Sequence, residues 1–371
     1  MTIDTSKWDK VSFGDVARCL TVATKDPLSE GLDRYVGLEH IEPGNIHIKS
    51  WGDVAKGTTF TRVFRKGQVL FGKRRAYQKK AALAEFDGIC SGDILVCEAI
   101  EGKLIPELLP FVVQSDRFFD FAIKTSAGSL SPRTKFKDLA KFSLKLPSKR
   151  DDQKRIAELL WSIDKVIEKW QRVLLVSDVL YQRYGRDYLL SDDLKKQELS
   201  AVADINMGQS PPGNAYNEEG KGVPFLQGNA EFGEVSPKHI KWTSITTKLA
   251  SKGDILLSVR APVGEINIAD QKYCIGRGLS ALSMKDKELN VFLKHVLIFL
   301  KPELEKKSTG STFKAINKQV LETVDIPFDD KDSLLKIADR LEIMTSARKQ
   351  IQSSIENTMR IQKQIINQIF G

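Results

Sequence analysis

The chain has 371 residues, 57 of them Lys or Arg and 48 Asp or Glu, for a formal charge of +9. At roughly 150 residues per domain it holds two or three domains, and 41% hydrophobic with 28% charged residues is ordinary for a folded, soluble protein. No apolar run approaches the roughly 20 residues needed to cross a bilayer. Residues 1–13 lack the basic-then-apolar pattern of a secretory signal. Four scattered cysteines with no C-x-x-C pair exclude a disulfide framework, so reduced thiols in a cytoplasmic protein are expected.

Residues 1–150 alternate short β-rich runs with glycine and proline punctuation, interrupted by a candidate helix over 106–124. They carry a net +7, and the stretch 62–80 (RVFRKGQVLFGKRRAYQKK) has eight basic residues and no acidic one. Such a run is either a solvated face or an anion-binding strip. Residues 151–190 are neutral overall and predict a long helix. Its apolar positions Ile156, Leu159, Ile163, Val166, Trp170, Val173, Leu180, Tyr184 and Tyr188 step by three, four or seven, as a coiled-coil seam does. Trp161, Trp170, Tyr181 and Tyr184 fit core and seam better than ligand contacts.

Residues 191–330, net −1, return to β-rich runs such as 253–268 (GDILLSVRAPVGEINI), with a helical segment over 289–304. Residues 331–371, net +3, predict a second long helix with a seam of Ile337, Leu341, Met344, Ile351, Ile355, Thr358, Ile365 and Ile369. Leu146-Pro147 and Ile326-Pro327 stand just before the two helices, where proline ends a strand.

The two halves are copies of one plan. Lys66-Gly67-Gln68-Val69-Leu70-Phe71 matches Lys252-Gly253-Asp254-Ile255-Leu256-Leu257, and Phe13-Gly14-Asp15-Val16-Ala17 matches Leu199-Ser200-Ala201-Val202-Ala203, both at an offset of 186. Gly128-Ser129 pairs with Gly310-Ser311, Leu146-Pro147 with Ile326-Pro327, and Ile156-Ala157-Glu158 with Ile337-Ala338-Asp339, at offsets of 180 to 182. Their common order makes this a duplication. Each long helix lacks a short partner in its own half, so the two are expected to lie antiparallel against each other.

Motifs for chemistry are missing. There is no P-loop, no G-x-G-x-x-G after a strand, no G-x-S-x-G, and His40, His47, His239 and His295 make no metal-ligand spacing. No catalytic residue and no metal site are assigned. What remains is a duplicated binder on a rigid spacer, a geometry suited to reading two different half-sites on a duplex.

Residues 208–229 (GQSPPGNAYNEEGKGVPFLQGN), 253–279 (GDILLSVRAPVGEINIADQKYCIGRGL) and 308–327 (STGSTFKAINKQVLETVDIP) closely resemble the second target-recognition domain of type I restriction–modification specificity subunits. The first half shows the same landmarks at 35–45 (YVGLEHIEPGN), 66–73 (KGQVLFGK) and 128–137 (GSLSPRTKFK). It departs at Phe71-Gly72-Lys73-Arg74, where the second copy has Leu257-Ser258-Val259-Arg260-Ala261-Pro262. The expected fold is therefore α/β, mixed and mainly β, in tandem duplication. Recognition domains at 1–150 and 191–330 are joined by antiparallel coiled-coil helices at 151–190 and 331–371, in a pseudo-twofold circular arrangement.

The resemblance implies a non-catalytic subunit that binds a bipartite DNA sequence. It also implies two methylation subunits using S-adenosylmethionine and two restriction subunits using ATP, with no cofactor on this chain and no membrane. A coiled-coil scaffold that never reads DNA, or a stand-alone DNA-modifying enzyme, are the alternatives. Arg and Gln pair bidentately with guanine and adenine, which selects Lys73, Arg74, Arg75, Tyr77, Gln78 and Lys79 in the first domain. Ser129, Ser131, Arg133 and Lys135 suit phosphates. In the second domain the candidates are Arg260, Arg277, Ser311, Thr312 and Lys314, with internal ion pairing the alternative for the two arginines. Pro211, Tyr216, Gly228 and Asn229 read as architectural turns.

Overall fold

A computed structural model describes residues 5–6, 8–191, 194–308 and 315–371. The chain divides into two compact units, Met1–Gln171 with Ser353–Gly371, and Arg172–Gln352. No helix among the described residues is long and apolar enough to cross a membrane.

In the first unit, a four-stranded antiparallel sheet has the order Ala17–Leu20, Ile94–Ala99, Val69–Gly72, Ala81–Leu83. A second sheet runs Gly52–Asp53, Arg34–Val36, Gly88–Cys90, Arg62–Phe64, its middle pair parallel. The inner strands Val69–Gly72 and Gly88–Cys90 are buried throughout, which is why they read as continuous apolar runs. The predicted helix over 106–124 divides into Leu109–Gln114 and Asp116–Lys124, because Ser115 turns extended and its hydroxyl accepts from the Phe118 N–H as an N-cap. Phe13, Phe71, Phe118 and Phe142 form the aromatic centre of the core, with Phe13 and Phe118 edge to face at 4.8 Å.

The second unit repeats the first sheet as Ala203–Met207, Leu279–Met284, Ile255–Ser258, Ile266–Ile268. The second sheet recurs as Lys241–Thr243, Val223–Leu226, Tyr273–Ile275, Leu249–Ala250, again with a parallel middle pair. One strand, Tyr216–Asn217, is added at its edge. Equivalent strands keep the offset near 186, so the duplication lies in strand order as well as in sequence. Helix Asn290–Lys307 packs on this core through Phe292, Leu293, Val296, Leu297 and Leu300.

The two long helices are Arg150–Leu189 and Lys331–Phe370. In the first unit, Ile156, Ala157 and Leu160 join one apolar cluster with Ile366, Ile369 and Phe370. In the second, Arg348 pairs with Asp178 and lies 4.8 Å from the Tyr181 ring centre, while Tyr181, Leu334, Ala338 and Leu341 share a cluster. The helices thus pack together.

The predicted seam of the first helix needs correcting. Val166, Val173, Leu180 and Tyr188 are exposed, whereas Gln153, Ala157, Leu160, Asp164, Ile167, Tyr181 and Gly185 face inward. Polar residues on that face are satisfied rather than excluded: Gln153 bonds the Ile105 N–H and the Lys103 and Pro147 carbonyls. Gly185 stands there because a Cβ would lie 2.0 Å from Phe299. The seam of the second helix is closer to expectation, with Leu341, Ile355 and Ile369 buried.

Candidate nucleic-acid interface

In the first unit, strand Val69–Gly72 runs out into the basic segment, and a second loop is stitched alongside it. The Lys73 N–H donates to the Asp93 carbonyl at 2.9 Å, the Thr134 N–H to the Lys73 carbonyl at 3.0 Å and the Arg75 N–H to the Pro132 carbonyl at 2.7 Å. Arg74 and Arg133 form an isolated antiparallel bridge. These backbone bonds bring Lys73, Arg74, Arg75, Ser131 and Arg133 together, although about 60 residues separate them in sequence.

Asp93 anchors the cluster. Its carboxylate accepts from Arg133 Nε at 2.8 Å and Arg74 Nη1 at 3.3 Å, and Arg74 Nη2 donates to Ser131 Oγ at 3.0 Å. The Arg133 hydrogen bond, aided by Arg74, holds the Asp93 carboxyl below its ordinary range despite partial burial. Two guanidinium groups thus share one carboxylate. Burial, reinforced by Arg62 and Arg133, lowers the Lys73 ammonium from its usual value.

The turn that follows is strained. Arg75 and Lys79 have φ of 54° and 51° on either side of the 3-10 turn Ala76–Gln78, a region non-glycine residues seldom occupy. Arg75 Nε and Arg74 Nε are buried without a hydrogen-bond partner among the described residues. Strained backbone and unsatisfied donors therefore coincide in this one turn. Tyr77 is 54% exposed at the tip, and Gln78 is half-buried.

Lys79 behaves differently from its neighbours. Its ammonium donates to Asp116 Oδ1 at 2.7 Å, and Lys363 and Asn367 bond the same carboxylate. Burial would raise Asp116, but the Lys79, Lys363 and Asn367 hydrogen bonds outweigh it and hold the group well below the usual carboxylate range. The facing loop leaves Ser129 and Lys135 exposed, with Leu130 between the two serines at 89% exposure. Asp93 and Leu130 are the two features here that the residue-by-residue reading passed over. Asp93 is the lone acid between two cysteine-bearing strands, and its role depends on side chains 19 and 40 residues away.

The second unit repeats the stitch. Arg260 bridges Ala315, the Ile316 N–H donates to the Val259 carbonyl at 2.8 Å, and the Val259 N–H to the Gly278 carbonyl at 2.9 Å. Arg74 to Arg260 is the offset of 186, and Arg133 to Ala315 that of 182, so the same bridge occurs in both copies. Arg260 and Arg277 are exposed, and neither enters an ion pair among the described residues. Gly276 and Gly278 flank Arg277 because the backbone packs tightly: a Cβ on Gly278 would meet the Gln227 carbonyl oxygen at 2.6 Å. Ser311, Thr312 and Lys314 lie outside the described residues. Tyr216 is architectural, donating to the Pro211 carbonyl at 2.8 Å and stacking on Phe225 at 4.8 Å.

Comparison with known proteins agrees with this duplicated geometry. A model of the type I restriction modification DNA specificity domain matches residues 5–174 and again 191–369. A putative type I restriction enzyme MjaX specificity subunit from Methanocaldococcus jannaschii is 30% identical over 330 residues, 81% of this chain and 77% of that one. The Escherichia coli EcoDI specificity subunit is 28% identical over 173 residues, 43% of this chain and 36% of its own. Among solved structures, a chain from a study of complex assembly and conformational transition of the type I R-M system has a TM-score of 0.66. It is 29% identical, with 97% of this chain and 96% of that chain covered. The HsdS subunit from Thermoanaerobacter tengcongensis gives 0.54 at 29% identity, covering 98% and 96%. An S subunit from M. genitalium, at 15% identity, shares the fold with a TM-score of 0.63 and coverage of 98% and 96%.

Proposed function

The chain belongs to the type I restriction–modification DNA specificity family, a non-catalytic family, and from that premise we propose that it reads a bipartite DNA site, one half with each unit. The stitched strand exit, present in both copies as Arg74 with Arg133 and as Arg260 with Ala315, carries this reading. It supports two cationic loops at equivalent places. Arg74, Arg75, Tyr77, Gln78, Ser131 and Arg133 contact the first half-site, and Arg260 and Arg277, with Ser311, Thr312 and Lys314, contact the second. Residues 1–150 and 191–330 act as the recognition domains. Residues 151–190 and 331–371 act as the spacer that sets the gap.

Two methylation subunits dock on the chain and bring S-adenosylmethionine, and two restriction subunits bring ATP, in a cytoplasmic complex. In the second unit the exposed Val173, Val176 and Leu180, with Leu175 and Val179 beside them, give the first long helix an outward apolar face suited to such docking. The discriminating experiment is duplex binding by the chain with its methylation subunits at several salt concentrations. A steep decline of log K with log salt is expected, because neutralised phosphates release counterions. A flat response would remove the DNA-reading role.

A further inference from the structure

The geometry points to a divalent-cation site in the first unit, built by His47 from the recognition domain and by Asp164 and Glu168 from the first long helix. Asp164 and Glu168 are four residues apart and so share one helix face. One nitrogen or oxygen from each of the three residues lies within 4.8 Å of the other two. His47 Nε2 is 2.7 Å from Asp164 Oδ2 and 3.9 Å from Glu168 Oε1. Ligands held at ~2.1 Å from a common zinc or manganese ion lie about 3.0–3.4 Å apart. The two separations from His47 bracket that range, and the two carboxylates lie within 4.8 Å of each other, so side-chain rotation is needed to bring all three atoms onto one ion.

The surroundings fit a ligating histidine. The other ring nitrogen, Nδ1, is 2.9 Å from Glu85 Oε1, the outer carboxylate that metal-bound imidazoles commonly hold. The ring is placed in advance. The His47 N–H is fixed by Asn45 Oδ1 at 2.9 Å, His47 bridges Leu83, and Trp161 packs edge-on against the imidazole. Asp164 is 6% exposed, and a cavity of about 140 Å³ adjoins the group. On the same cavity, the Gln362 amide nitrogen is buried with no partner among the described residues. Amide oxygen and nitrogen exchange places by a simple flip, which would offer the cavity an oxygen ligand.

Charge supports a cation here. Glu42, Glu85, Asp164 and Glu168 gather around the cavity and its histidine, whereas Lys49, the lysine on the cavity, is bonded to Gln171 at 3.1 Å. The duplicate supplies a contrast. At the position of Glu168, offset by 181, the second unit has Lys349, whose ammonium is 3.7 Å from Glu234. At that one helix position the second copy has a lysine where the first copy has a carboxylate. Imidazole with carboxylates suits Zn²⁺ and Mn²⁺. Bound there, the ion clamps the recognition domain to the helix beneath it.

The test uses the full-length chain, stripped with EDTA and dialysed against Zn²⁺ or Mn²⁺. One ion per chain is expected to bind, with His47→Ala and Glu168→Gln each weakening affinity by about 10–100-fold. Glu168 is partly exposed, so its amide variant keeps the fold, as circular dichroism will verify. Co²⁺ substitution is expected to give d–d bands without thiolate charge transfer, separating this site from the cysteines. No saturable uptake, uptake unchanged in both variants, or a thiolate spectrum would overturn the assignment.

Discussion

Arg74 and Arg133, 59 residues apart, face each other across a β-bridge and share the carboxylate of Asp93. Two like charges are held side by side with one counter-charge, leaving a local excess of +1 at a strand exit. Such a pair is positioned to meet an anion without first being ordered, which lowers the entropic cost of binding.

That arrangement makes Asp93→Asn informative. Removing the shared acceptor adds positive charge but frees both guanidinium groups. Non-specific DNA affinity is expected to rise while the preference for target over scrambled duplex falls about tenfold, or ~1.4 kcal/mol. Competition binding with the two duplexes measures the ratio. Because the Asp93 carboxyl is held below its ordinary range, the clamp is fully charged above that range and is lost only as pH falls below it, through the folded-state value. Preference is therefore expected to be flat between about pH 6 and 8.

The triple substitution of Lys73, Arg74 and Arg75 to Ala is expected to weaken target binding by the complex by at least about tenfold and to shallow the salt dependence, since each lost phosphate contact removes ~0.9 from the slope. Fluorescence anisotropy across a salt series tests both effects. Unchanged affinity would remove this cluster from the interface.

Lys79 gives the opposite pattern. Its partner Asp116 also holds Lys363 and Asn367, so Lys79→Ala and Asp116→Asn are expected to lower Tm by about 2–4 °C, a modest figure given solvent screening. DNA affinity is expected to change much less than with Arg74→Ala. The Asp116 carboxyl is depressed in the folded protein, so its contribution is present above its unfolded value near ~4 and fades as pH falls through the folded one. Thermal melts from pH 7 downward are expected to show the wild type and Asp116→Asn converging.

Inserting seven residues into the middle of both long helices adds about 10.5 Å while preserving the heptad register. The preferred gap between half-sites is expected to grow by about three base pairs at ~3.4 Å each. Methylation mapping on a library of spacings reads the result. A gap that stayed fixed would end the spacer role.

The duplication was legible because it rests on local turns and apolar runs, and these recur as the same strand order in both units. The long helices were legible from their periodicity. The phase of the first helix was not. Its inward face carries Gln153, Asp164 and Asp178, each satisfied by a residue remote in sequence: Ile105 for the first, His47 and Arg348 for the others. Its outward face carries Val173, Val176 and Leu180. Hydrophobicity alone therefore finds Ile156 but mixes the inward face with the exposed valines and Leu180. The basic strip was found by composition, but composition could not separate Lys79, committed to Asp116, from Arg74 one turn of chain away. In both cases the partners lie outside the local window.

Each unit closes its own chain ends. Asp9–Ser12 pairs with Ser143–Leu146, and Lys196–Glu198 with Asp325–Pro327, so the chain enters and leaves each β-rich unit through neighbouring strands immediately next to a long helix. A unit whose two ends are fastened together can be lifted out and another substituted without altering the helices that carry it. Exchange of a whole segment between these strand pairs is then a route to new binding preferences that leaves the frame intact, whereas change by single residues has to pass through the tightly stitched loops.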